Sequence, residues 1–534
     1  MLLRLGFALS CVVLSRAALD AAESSFDRGR ALYGVTCATC HQPQGEGLKG
    51  VIPPLAASDY LVADERRSVR IVLQGLSGPV VVNGVEYNGV MPPPVGLDDA
   101  KVADILTFVR ASWGNQGGPV LPSTVAAVRA ELASPDRPDR DPFEPLPPPP
   151  AGFRIREVVK LPQHGVRLAT MPGVDWIYVL NNGGDLFRLE PATGNLARVL
   201  ATKDYADPTR GPLDVIGMTI DSQRRLLLVA NQRGSTRPRH TAEMSILRSE
   251  PLEADGVPKG VKPWFRVDYP WGVRPGNHGV SHIAEGPDGY IYVSSGSRTD
   301  GGEAGNDPVL WKGGEHALTA AIWRIDPRAE GGPRLETFAS GVRNAWSFAW
   351  NDRGELFSVS NGPDEDEPEE LDLIERGKHY GFPWEYGVGV KSKYPKIGTP
   401  PAGVKLEPAI RNLGPAGGGS ASAPIATFDA HSSPAGMVFC GPEWPVGYQG
   451  RFIVGRFGNF IGRYHVGFDL LSVELRRNAA GVYEARTETF LAPVARPLDL
   501  LQVGRRLYIL EYTRPVRAQA GRPLNPGRVL ELSW

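Results

Sequence analysis

Cys37, Cys40 and His41 stand in the spacing C-x-x-C-H, inside the stretch GVTCATCHQPQGEG. Two cysteines at this spacing attach a c-type haem, and the adjacent histidine can bind its iron. A structural zinc ion would need a second pair of closely spaced cysteine or histidine ligands, and none follows nearby. A redox-active dithiol would not need the histidine. The motif therefore predicts a covalently bound haem c with His41 as an axial ligand of the iron.

The residues around this motif resemble class I cytochrome c over residues 24–115. FDRGRALYGVTCATCHQPQGEG is similar to the N-terminal helix, attachment site and glycine-rich loop of that family. The resemblance implies that Met91, in YNGVMPPP, is the second axial ligand. It also implies that a backbone carbonyl in the segment of Pro53 and Pro54 orients His41. For Met91 the alternative is a packing role in the apolar core.

One amphipathic helix is expected to close this first domain. Apolar residues recur at i, i+3, i+4 and i+7 from Val102 to Val109, which predicts a helix over residues 97–113 with a single apolar face. We therefore expect a small all-α cytochrome c domain over residues 23–115.

A proline-rich stretch follows this domain. Eight of the seventeen residues from Ser134 to Pro150 are proline. Sequences of this kind form semi-rigid spacers in the polyproline II conformation. We therefore assign residues 116–152 to a linker between two domains.

The N-terminal sequence MLLRLGFALSCVVLSRAALDAAESS has the pattern of a secretory signal. Arg4 supplies the positive charge, the residues from Leu5 to Leu14 form the apolar segment, and an alanine-rich stretch supplies the cleavage zone. The apolar run is shorter than the ~20 residues that span a bilayer, which disfavours a membrane anchor. We predict a signal peptide over residues 1–22, a periplasmic or secreted protein, and no membrane span in the mature chain.

Charge and cysteine content exclude two further classes of protein. The formal net charge is −1 and there is no long basic run. Nucleic acid is therefore not expected as a partner, because phosphate binding requires clustered lysine and arginine. Cys11 lies in the signal and Cys37 and Cys40 hold the haem, so Cys440 remains alone. A disulfide scaffold is excluded, and Cys440 is expected to be a small buried apolar side chain.

A short sequence pattern, here called the recurring sequence phrase, is repeated through the rest of the chain. It consists of turn residues, a short strand of apolar and aromatic residues, and then small or polar residues that end the strand. Its copies are DWIYVLNNG (175–183), RRLLLVANQRG (224–234), DGYIYVSSG (288–296), RGELFSVSNG (353–362), GRFIVGRFGN (450–459) and GRRLYILEYT (504–513). Repeated strand units predict a β-propeller, here all-β with six blades over residues 153–534. A β-sandwich with insertions is the alternative.

Five stretches of this region resemble the soluble glucose and sorbosone dehydrogenase family. They are GNHGVSHIAEGPDGYIYVSSGS, AIWRIDP, FASGVRNAWSFAW, GELFSVSNGPDEDEPEELDLIERGKHYGFPWE and RPLDLLQVGRRLYIL. Members of that family are six-bladed propellers that bind pyrroloquinoline quinone (PQQ) and calcium. The resemblance therefore implies both cofactors, a small sugar-like substrate and a dehydrogenase activity.

The resemblance also implies roles for individual residues. The implied site consists of the catalytic base His278, the quinone contacts Arg343 and Asn344, the calcium-binding carbonyls of Gly362 and Pro363, and the cofactor-binding Arg496. An arginine suits its position because a guanidinium keeps its charge while it hydrogen-bonds to carboxylate and quinone oxygens, and it can stabilise developing negative charge.

The sequence departs from the family pattern at three places. The usual His-Asn-Gly-Gly is His-Gly-Val-Ser here, an acidic residue that often follows the next strand is Ser297, and a second arginine near Arg496 is Leu498. These differences affect the inferences about the substrate and the binding of PQQ more than the inference about the fold. His282, four residues from His278, is a competing candidate for the base.

The two resemblances together imply a secreted quinohaemoprotein dehydrogenase. A histidine base would take the hydroxyl proton of a sugar, a polyol or an aldehyde. The two electrons would pass to PQQ and then, one at a time, through the haem to an external acceptor such as a cytochrome, a copper protein or an oxidase. Two alternatives stay open: a non-catalytic propeller that acts as a binding module beside an electron-transfer cytochrome, and an enzyme that uses calcium without a quinone.

Overall fold

The computed structural model describes residues 25–94, 96–133, 143, 145–207, 210–233, 241–271, 278–302, 314–364, 367–394, 397–419, 422, 424–459, 466–514 and 525–534. The chain divides into two compact units, and the division falls between Arg140 and Asp141. The signal sequence predicted over residues 1–22 lies outside the described residues. No helix in these described ranges is long and apolar enough to cross a membrane.

The first unit is mainly helical, as expected for a cytochrome c domain. Its helices are α1 (residues 25–36), α2 (Ala38–His41), α3 (Asp59–Ala63), α4 (Glu65–Gln74), α5 (Asp99–Arg110) and α6 (Pro122–Ala133). Ser58, Asp64 and Asp98 each accept a hydrogen bond from the backbone N–H three residues on, which begins α3, α4 and α5. The helix predicted over residues 97–113 is α5, and it begins at Asp99 because Asp98 is its cap.

Gly29 allows α1 to approach α5 closely. A Cβ at this position would lie 1.9 Å from the carbonyl oxygen of Asp104 and 2.9 Å from the Cβ of Phe108. The ring of Phe108 packs edge-on against Phe26, with 5.1 Å between their centroids. The absence of a side chain at Gly29 therefore brings the aromatic core of the unit together.

Gly29→Ala is expected to lower the free energy of unfolding of the first unit by about 1–3 kcal/mol, because backbone atoms of the two helices must move apart. Gly34→Ala is the matched control in the same helix, since no atom lies within 4 Å of its added Cβ. Alanine is the better helix former, so the control should be neutral or slightly stabilising. Thermal unfolding of both haem-loaded variants, followed by circular dichroism, checks this. Equal melting temperatures for the two variants would contradict the close approach.

A β-hairpin lies between α4 and α5, so the all-α prediction for the first unit is incomplete. Its strands are β1 (Leu76–Val82) and β2 (Val85–Met91), paired antiparallel. Asn83 and Gly84 join the strands, with φ values of 52° and 75°. Asn-Gly is the strongest short sequence signal for such a two-residue turn. The hairpin places Met91 at the end of β2, opposite Leu76.

The linker predicted over residues 116–152 is too long at both ends. Val125 and Val128 of α6 are fully buried in the core of the first unit, and Leu132 packs with them. At the other end, the ring of Phe143 lies 4.2 Å from the guanidinium carbon of Arg514 in the second unit. The three apolar residues of α6 follow a helical spacing that precedes the proline-rich stretch.

The second unit is a β-propeller with six blades, as predicted. Blades 1 to 3 are four-stranded antiparallel sheets. From the innermost strand outward, blade 1 contains β4 (Gly165–Ala169), β5 (Ile177–Asn181), β6 (Leu186–Glu190) and β7 (Asn195–Leu200). Blade 2 contains β8 (Leu213–Ile220), β9 (Arg225–Arg233), β10 (Thr241–Pro251) and β11 (Lys262–Pro270). Blade 3 contains β12 (Val280–Glu285), β13 (Ile291–Ser295), β14 (Ala321–Asp326) and β15 (Arg334–Ser340). A 3₁₀ turn, Thr202–Asp204, follows blade 1.

Blades 4 to 6 differ from one another in strand number. Blade 4 contains β16 (Ala345–Trp350), β17 (Leu356–Ser360) and β18 (Glu370–Ile374), and a small hairpin of β19 (Glu385–Tyr386) and β20 (Val390–Lys391) follows it. Blade 5 contains β23 (Pro434–Phe439), β24 (Phe452–Arg456), β25 (Asp469–Arg477), β26 (Tyr483–Leu491), β21 (Arg411–Pro415) and β22 (Ile425–Ala426). Blade 6 contains β27 (Pro497–Val503), β28 (Arg506–Glu511), β29 (Arg528–Ser533) and β3 (Arg154–Lys160).

The recurring sequence phrase forms the second strand of each blade. Its six copies contain β5, β9, β13, β17, β24 and β28. The ring closes because β3, from the start of the unit, pairs with β29, from its end. The innermost strands also contact one another around the ring, in the order β4, β8, β12, β16, β23, β27 and back to β4.

Arg167 joins four of these innermost strands near the points where they begin. This side chain is 1% exposed. Its Nε donates to the carbonyl of Ile216 (2.9 Å) in β8, and its Nη2 donates to that of Trp346 (2.8 Å) in β16. Its Nη1 lies 3.5 Å from Oδ1 of Asp499 in β27. All four residues lie within the first four positions of their strands, so these strands enter the ring at one end, here called the entry end.

Candidate functional site

Three of the four predicted haem-binding residues of the first unit line one apolar cavity. Cys37, His41 and Met91 all line it, and the cavity has a volume of about 700 Å³ including its open mouth. The remaining lining is largely aliphatic and comprises Pro53, Pro54, Leu55, Ser58, Tyr60, Leu61, Ser68, Ile71, Val72, Leu76, Val80, Val82, Ile105, Leu106 and Val109. A haem presents a large apolar ring, so an apolar cavity with Cys37 to attach the ring and His41 and Met91 to bind its iron fits this cofactor.

His41 is held in the tautomer that iron binding requires. It ends α2 and is buried, and its Nδ1 lies 3.2 Å from the carbonyl oxygen of Pro53. A carbonyl only accepts hydrogen bonds, so Nδ1 carries the proton and Nε2 is the nitrogen that can bind iron. Burial lowers the pKa of His41, which favours the neutral ring. The predicted contact between the proline segment and His41 is thereby confirmed.

Met91 reaches the cavity through the hairpin. A Cβ on Gly75 would lie 2.4 Å from the carbonyl oxygen of Met91, so the end of β2 packs directly against the end of α4. The register of the hairpin and this close contact position the methionine in the lining of the haem cavity. The structure therefore brings Met91 and His41 together, as the ligand assignment requires.

In the second unit, three sequence-predicted residues come together at the entry end of the propeller. His278 precedes β12, and Arg343 and Asn344 precede β16 in the neighbouring blade. A Cβ on Gly296 would lie 2.3 Å from the Cβ of His278 and 3.3 Å from Oδ1 of Asn344. Only the small size of Gly296 therefore allows this approach.

Arg343 is anchored by a carboxylate and by backbone carbonyls. Its Nη2 lies 2.5 Å from Oδ1 of Asp300, and its Nε donates to the Asp300 carbonyl (2.7 Å). Its Nη1 donates to the carbonyl of Asn361 (3.1 Å) and to that of Gly362. Burial lowers the pKa of Arg343, but the charges of Asp300 and Asp364 outweigh this and raise it above its usual value. The guanidinium is therefore a fixed, charged group.

His278 is a neutral imidazole in this environment. Its backbone N–H donates to the carbonyl of Ser297 (2.7 Å), and the Ser297 N–H donates to that of Arg343 (2.7 Å). Its Nδ1 lies 3.4 Å from Oγ of Ser297. Burial, and then the charge of Arg343, lower the pKa of His278 well below 6.5. A neutral imidazole can accept a proton, so His278 has the charge state that a base requires.

His282 lies in a different environment. It is the third residue of β12, about 13 Å further along an extended chain than His278. Its ring packs edge-on against Phe348 (centroids 4.5 Å apart, planes at 90°). Burial, and then the charge of Arg167, lower the pKa of His282 well below 6.5. Its charged neighbour is therefore the arginine that joins the blades, and not Arg343.

The carbonyl of Gly362, one of the two predicted to bind calcium, has a hydrogen-bond partner in the described structure. The carbonyl of Gly362 accepts a hydrogen bond from Arg343, and the Gly362 N–H donates to Oε2 of Glu369 (2.6 Å). Among the described residues, no group of three or more histidine, cysteine, aspartate or glutamate side chains is arranged to hold a metal ion. Calcium binding by Gly362 and Pro363 therefore stays a prediction.

Arg496 precedes β27, in the blade that lies across the ring from His278. Its Nη1 donates to the carbonyl of Gly458 (3.3 Å) and its Nη2 to that of Asn459 (3.2 Å). The guanidinium carbon lies 5.0 Å from the ring centroids of both Phe457 and Phe468. Burial lowers the pKa of Arg496 to about 10. The entry end thus carries two buried arginines, Arg343 and Arg496, whose guanidinium groups suit the carboxylate and carbonyl oxygens of PQQ.

Two residues that organise the site have no signal in the sequence pattern. Asp300 holds Arg343 although the two residues are 43 positions apart. The hydroxyl of Tyr394 in turn donates to Oδ2 of Asp300. Neither residue belongs to a recognisable motif. Cys440, in contrast, is fully buried as predicted.

Comparison with known families decides what the two units are. Residues 26–113 match the family model for cytochrome c, and residues 265–460 match the model for Glucose / Sorbosone dehydrogenase. The chain joins a cytochrome c domain to a glucose/sorbosone dehydrogenase domain. The cytochrome c domain is 37% identical over 83 residues to cytochrome c-552 of Thermus thermophilus, which covers 15% of this chain and 63% of that protein.

A second relative of the cytochrome c domain is the cytochrome c subunit of the quinone alcohol dehydrogenase of Gluconobacter oxydans. It is 29% identical over 112 residues, which covers 18% of this chain and 20% of the subunit. The chain thus spans less than two thirds of the length of these relatives.

Solved structures similar to the chain include two sugar dehydrogenases. The PQQ-bound aldose sugar dehydrogenase of Streptomyces coelicolor is 19% identical, with a TM-score of 0.48 over 72% of this chain and 99% of that one. The soluble aldose sugar dehydrogenase of Escherichia coli, in its apo form, is 16% identical, with a TM-score of 0.49 over 71% of this chain and 99% of that one.

Proposed function

We propose that this chain oxidises a sugar, a polyol or an aldehyde at PQQ bound to the propeller, and that the electrons leave through haem c. The observation that carries the proposal is the convergence of His278, Arg343 and Asn344 at the entry end of a glucose/sorbosone dehydrogenase domain. The same chain contains a cytochrome c domain in which Cys37, His41 and Met91 line one cavity. A two-electron oxidation site and a one-electron carrier are thus covalently joined.

The residues of the propeller site have complementary roles in this proposal. His278, neutral because of its depressed pKa, takes the proton from the hydroxyl group of the substrate. Arg343, held by Asp300, presents a fixed positive charge that stabilises the negative charge developing as that proton leaves. Arg343, Asn344 and Arg496 would hold the quinone when PQQ is bound. PQQ supplies the two-electron acceptor when it is bound, and haem c the one-electron carrier.

The final acceptor in this proposal is an external redox protein: another cytochrome, a copper protein or an oxidase. Haem c is attached outside the cytoplasm in bacteria, so we place the protein in the periplasm or outside the cell. The similarity of the first domain to the cytochrome c subunit of a quinone alcohol dehydrogenase supports a role in accepting electrons from a dehydrogenase site.

Addition of PQQ to chelator-treated, haem-loaded protein is expected to raise its melting temperature. A ligand that binds only the native state stabilises it, by about 2.7 kcal/mol at a hundredfold excess over its dissociation constant. Parallel titrations with and without calcium separate the quinone from the metal. Reduction of a dye or of the haem by a panel of sugars, polyols and aldehydes then tests for turnover.

Two outcomes would count against parts of this proposal. No stabilisation at saturating PQQ, with or without calcium, would favour a propeller that is a non-catalytic binding module. Equal stabilisation by PQQ in the presence and absence of calcium would refute the predicted calcium site and would support the quinone site. The hydrogen bond between Arg343 and Gly362 provides a reason for the second outcome.

A further inference from the structure

His164 lies at the entry end of the propeller, although no sequence motif points to it. It directly precedes β4, the innermost strand of blade 1. Three residues later in the chain, Arg167 contacts residues near the starts of β8, β16 and β27, which places the starts of these strands at one level of the ring. His164 therefore belongs to the same level as His278, Arg343 and Arg496, each of which precedes an innermost strand.

The imidazole of His164 is buried without a hydrogen bond at Nε2. The residue is 5% exposed, and this nitrogen makes no hydrogen bond within the described part of the chain. Its ring packs in a tilted arrangement against that of Tyr512, with centroids 4.6 Å apart and planes at 36°. Buried polar groups in native proteins almost always have a partner, and an unpartnered one calls for an explanation such as a bound water or a ligand.

His164 and Arg496 belong to one cluster of side chains. The Tyr512 N–H donates to the carbonyl of Arg496 (3.0 Å). The Tyr512 ring lies 5.7 Å from that of Phe457, which in turn lies 5.0 Å from the guanidinium carbon of Arg496. Tyr512 thus links the histidine in blade 1 to the arginine in blade 6. Blades 1 and 6 are neighbours in the ring.

This cluster lies across the ring from the proposed chemistry. Among six blades, blades 1 and 6 are opposite blades 4 and 3, which carry Arg343 and His278. A ligand that fills the entry end therefore has its reacting part beside His278 and its far part beside His164 and Arg496. A buried cation and an N–H donor at the far part select negatively charged oxygen atoms.

We propose that His164 is a further cofactor-binding residue, whose Nε2–H donates a hydrogen bond to a carboxylate of PQQ beside Arg496. This inference rests on the proposed function and extends it to a residue outside the family-derived site. Burial lowers the pKa of His164 to about 4, so near neutral pH the free ring is uncharged and one of its nitrogens carries a proton. In this proposal Arg496 supplies the positive charge, and His164 supplies a directional hydrogen bond to the carboxylate.

The test compares PQQ with its trimethyl ester as probes, both titrated against the haem-loaded full chain. His164→Leu removes the donor, and the dissociation constant for PQQ is expected to rise about 10–100-fold, as for the loss of a hydrogen bond to a charged group. The ester lacks the carboxylate charges, so its affinity should fall less and the preference for PQQ over the ester should shrink. His164→Gln keeps an N–H donor on a side chain of similar reach, so it should restore part of the affinity.

His282→Leu is the matched control, because His282 is also a histidine with a buried ring nitrogen that has no hydrogen-bond partner within the described residues. It should leave the preference for PQQ over its ester unchanged. Unchanged PQQ affinity in both His164→Leu and His164→Gln would overturn the inference while leaving the proposed function intact. A loss of affinity that is equal for PQQ and the ester would also overturn it, because it would indicate a packing role. Failure of the unmodified protein to bind PQQ would overturn the proposed function and this inference with it.

Discussion

His278→Ala is expected to slow oxidation of the substrate by about 10²–10⁴-fold, the usual contribution of a general base. The haem spectrum and the stabilisation by PQQ should be retained, because the proposed role of His278 is to accept a proton. Single-turnover mixing of substrate with the PQQ-loaded protein measures the step, with the haem absorbance followed separately.

Two further variants make this prediction specific. His282→Ala should slow substrate oxidation much less than His278→Ala, since His282 packs on Phe348 and has Arg167, not Arg343, as its charged neighbour. Arg343→Ala should weaken PQQ binding itself, because its proposed contact is with the cofactor. If His282→Ala abolishes substrate oxidation while His278→Ala leaves its rate unchanged, then the catalytic base is His282. Normal rates in both histidine variants would refute this catalytic site.

The pH dependence offers an independent check on His278. Burial and the charge of Arg343 lower its pKa well below 6.5, so the ring should stay neutral as the pH falls through that value. A base must be unprotonated, and a lowered pKa extends the unprotonated range toward acid. The rate of substrate oxidation is therefore expected to show no decrease near pH 6.5. A break centred there would mean that His278 has an unperturbed pKa in the working enzyme.

Met91→Ala is expected to abolish the weak charge-transfer band that marks sulfur ligation of haem iron. The expectation follows from the position of Met91 in the lining of the cavity that also contains His41. Visible spectra of the oxidised protein measure the band, and a pyridine haemochrome spectrum confirms that haem c is still attached to Cys37 and Cys40.

Met91→Leu separates ligation from packing. Leucine conserves most of the apolar volume, so a methionine that only fills the core would leave the spectrum unchanged on this substitution. A ligand role requires the band to vanish in both variants. Persistence of the band in Met91→Leu would show that the second axial ligand is another group.

Some features of this protein were readable from the sequence because they depend on residues close together in the chain. The haem attachment motif occupies five consecutive positions, Cys37 to His41, so its spacing alone places the groups together. Each copy of the recurring phrase contains one complete strand, which is why six copies predicted six blades. The Asn83–Gly84 turn is a local signal of the same kind, but the expectation of an all-α domain passed over it.

The contacts that define the propeller site join residues far apart in the chain, and only the tertiary structure shows them. Asp300 and Arg343 are 43 positions apart, and Arg167 and Asp499 are 332 positions apart. His278 and His282 are nearly adjacent in sequence, yet one precedes a strand at the entry end and the other lies within that strand. His164 lies in the same ring because the propeller closes on itself and brings blade 1 against blade 6. Closure of the ring determines which loops meet, and no local pattern of residue types encodes that choice.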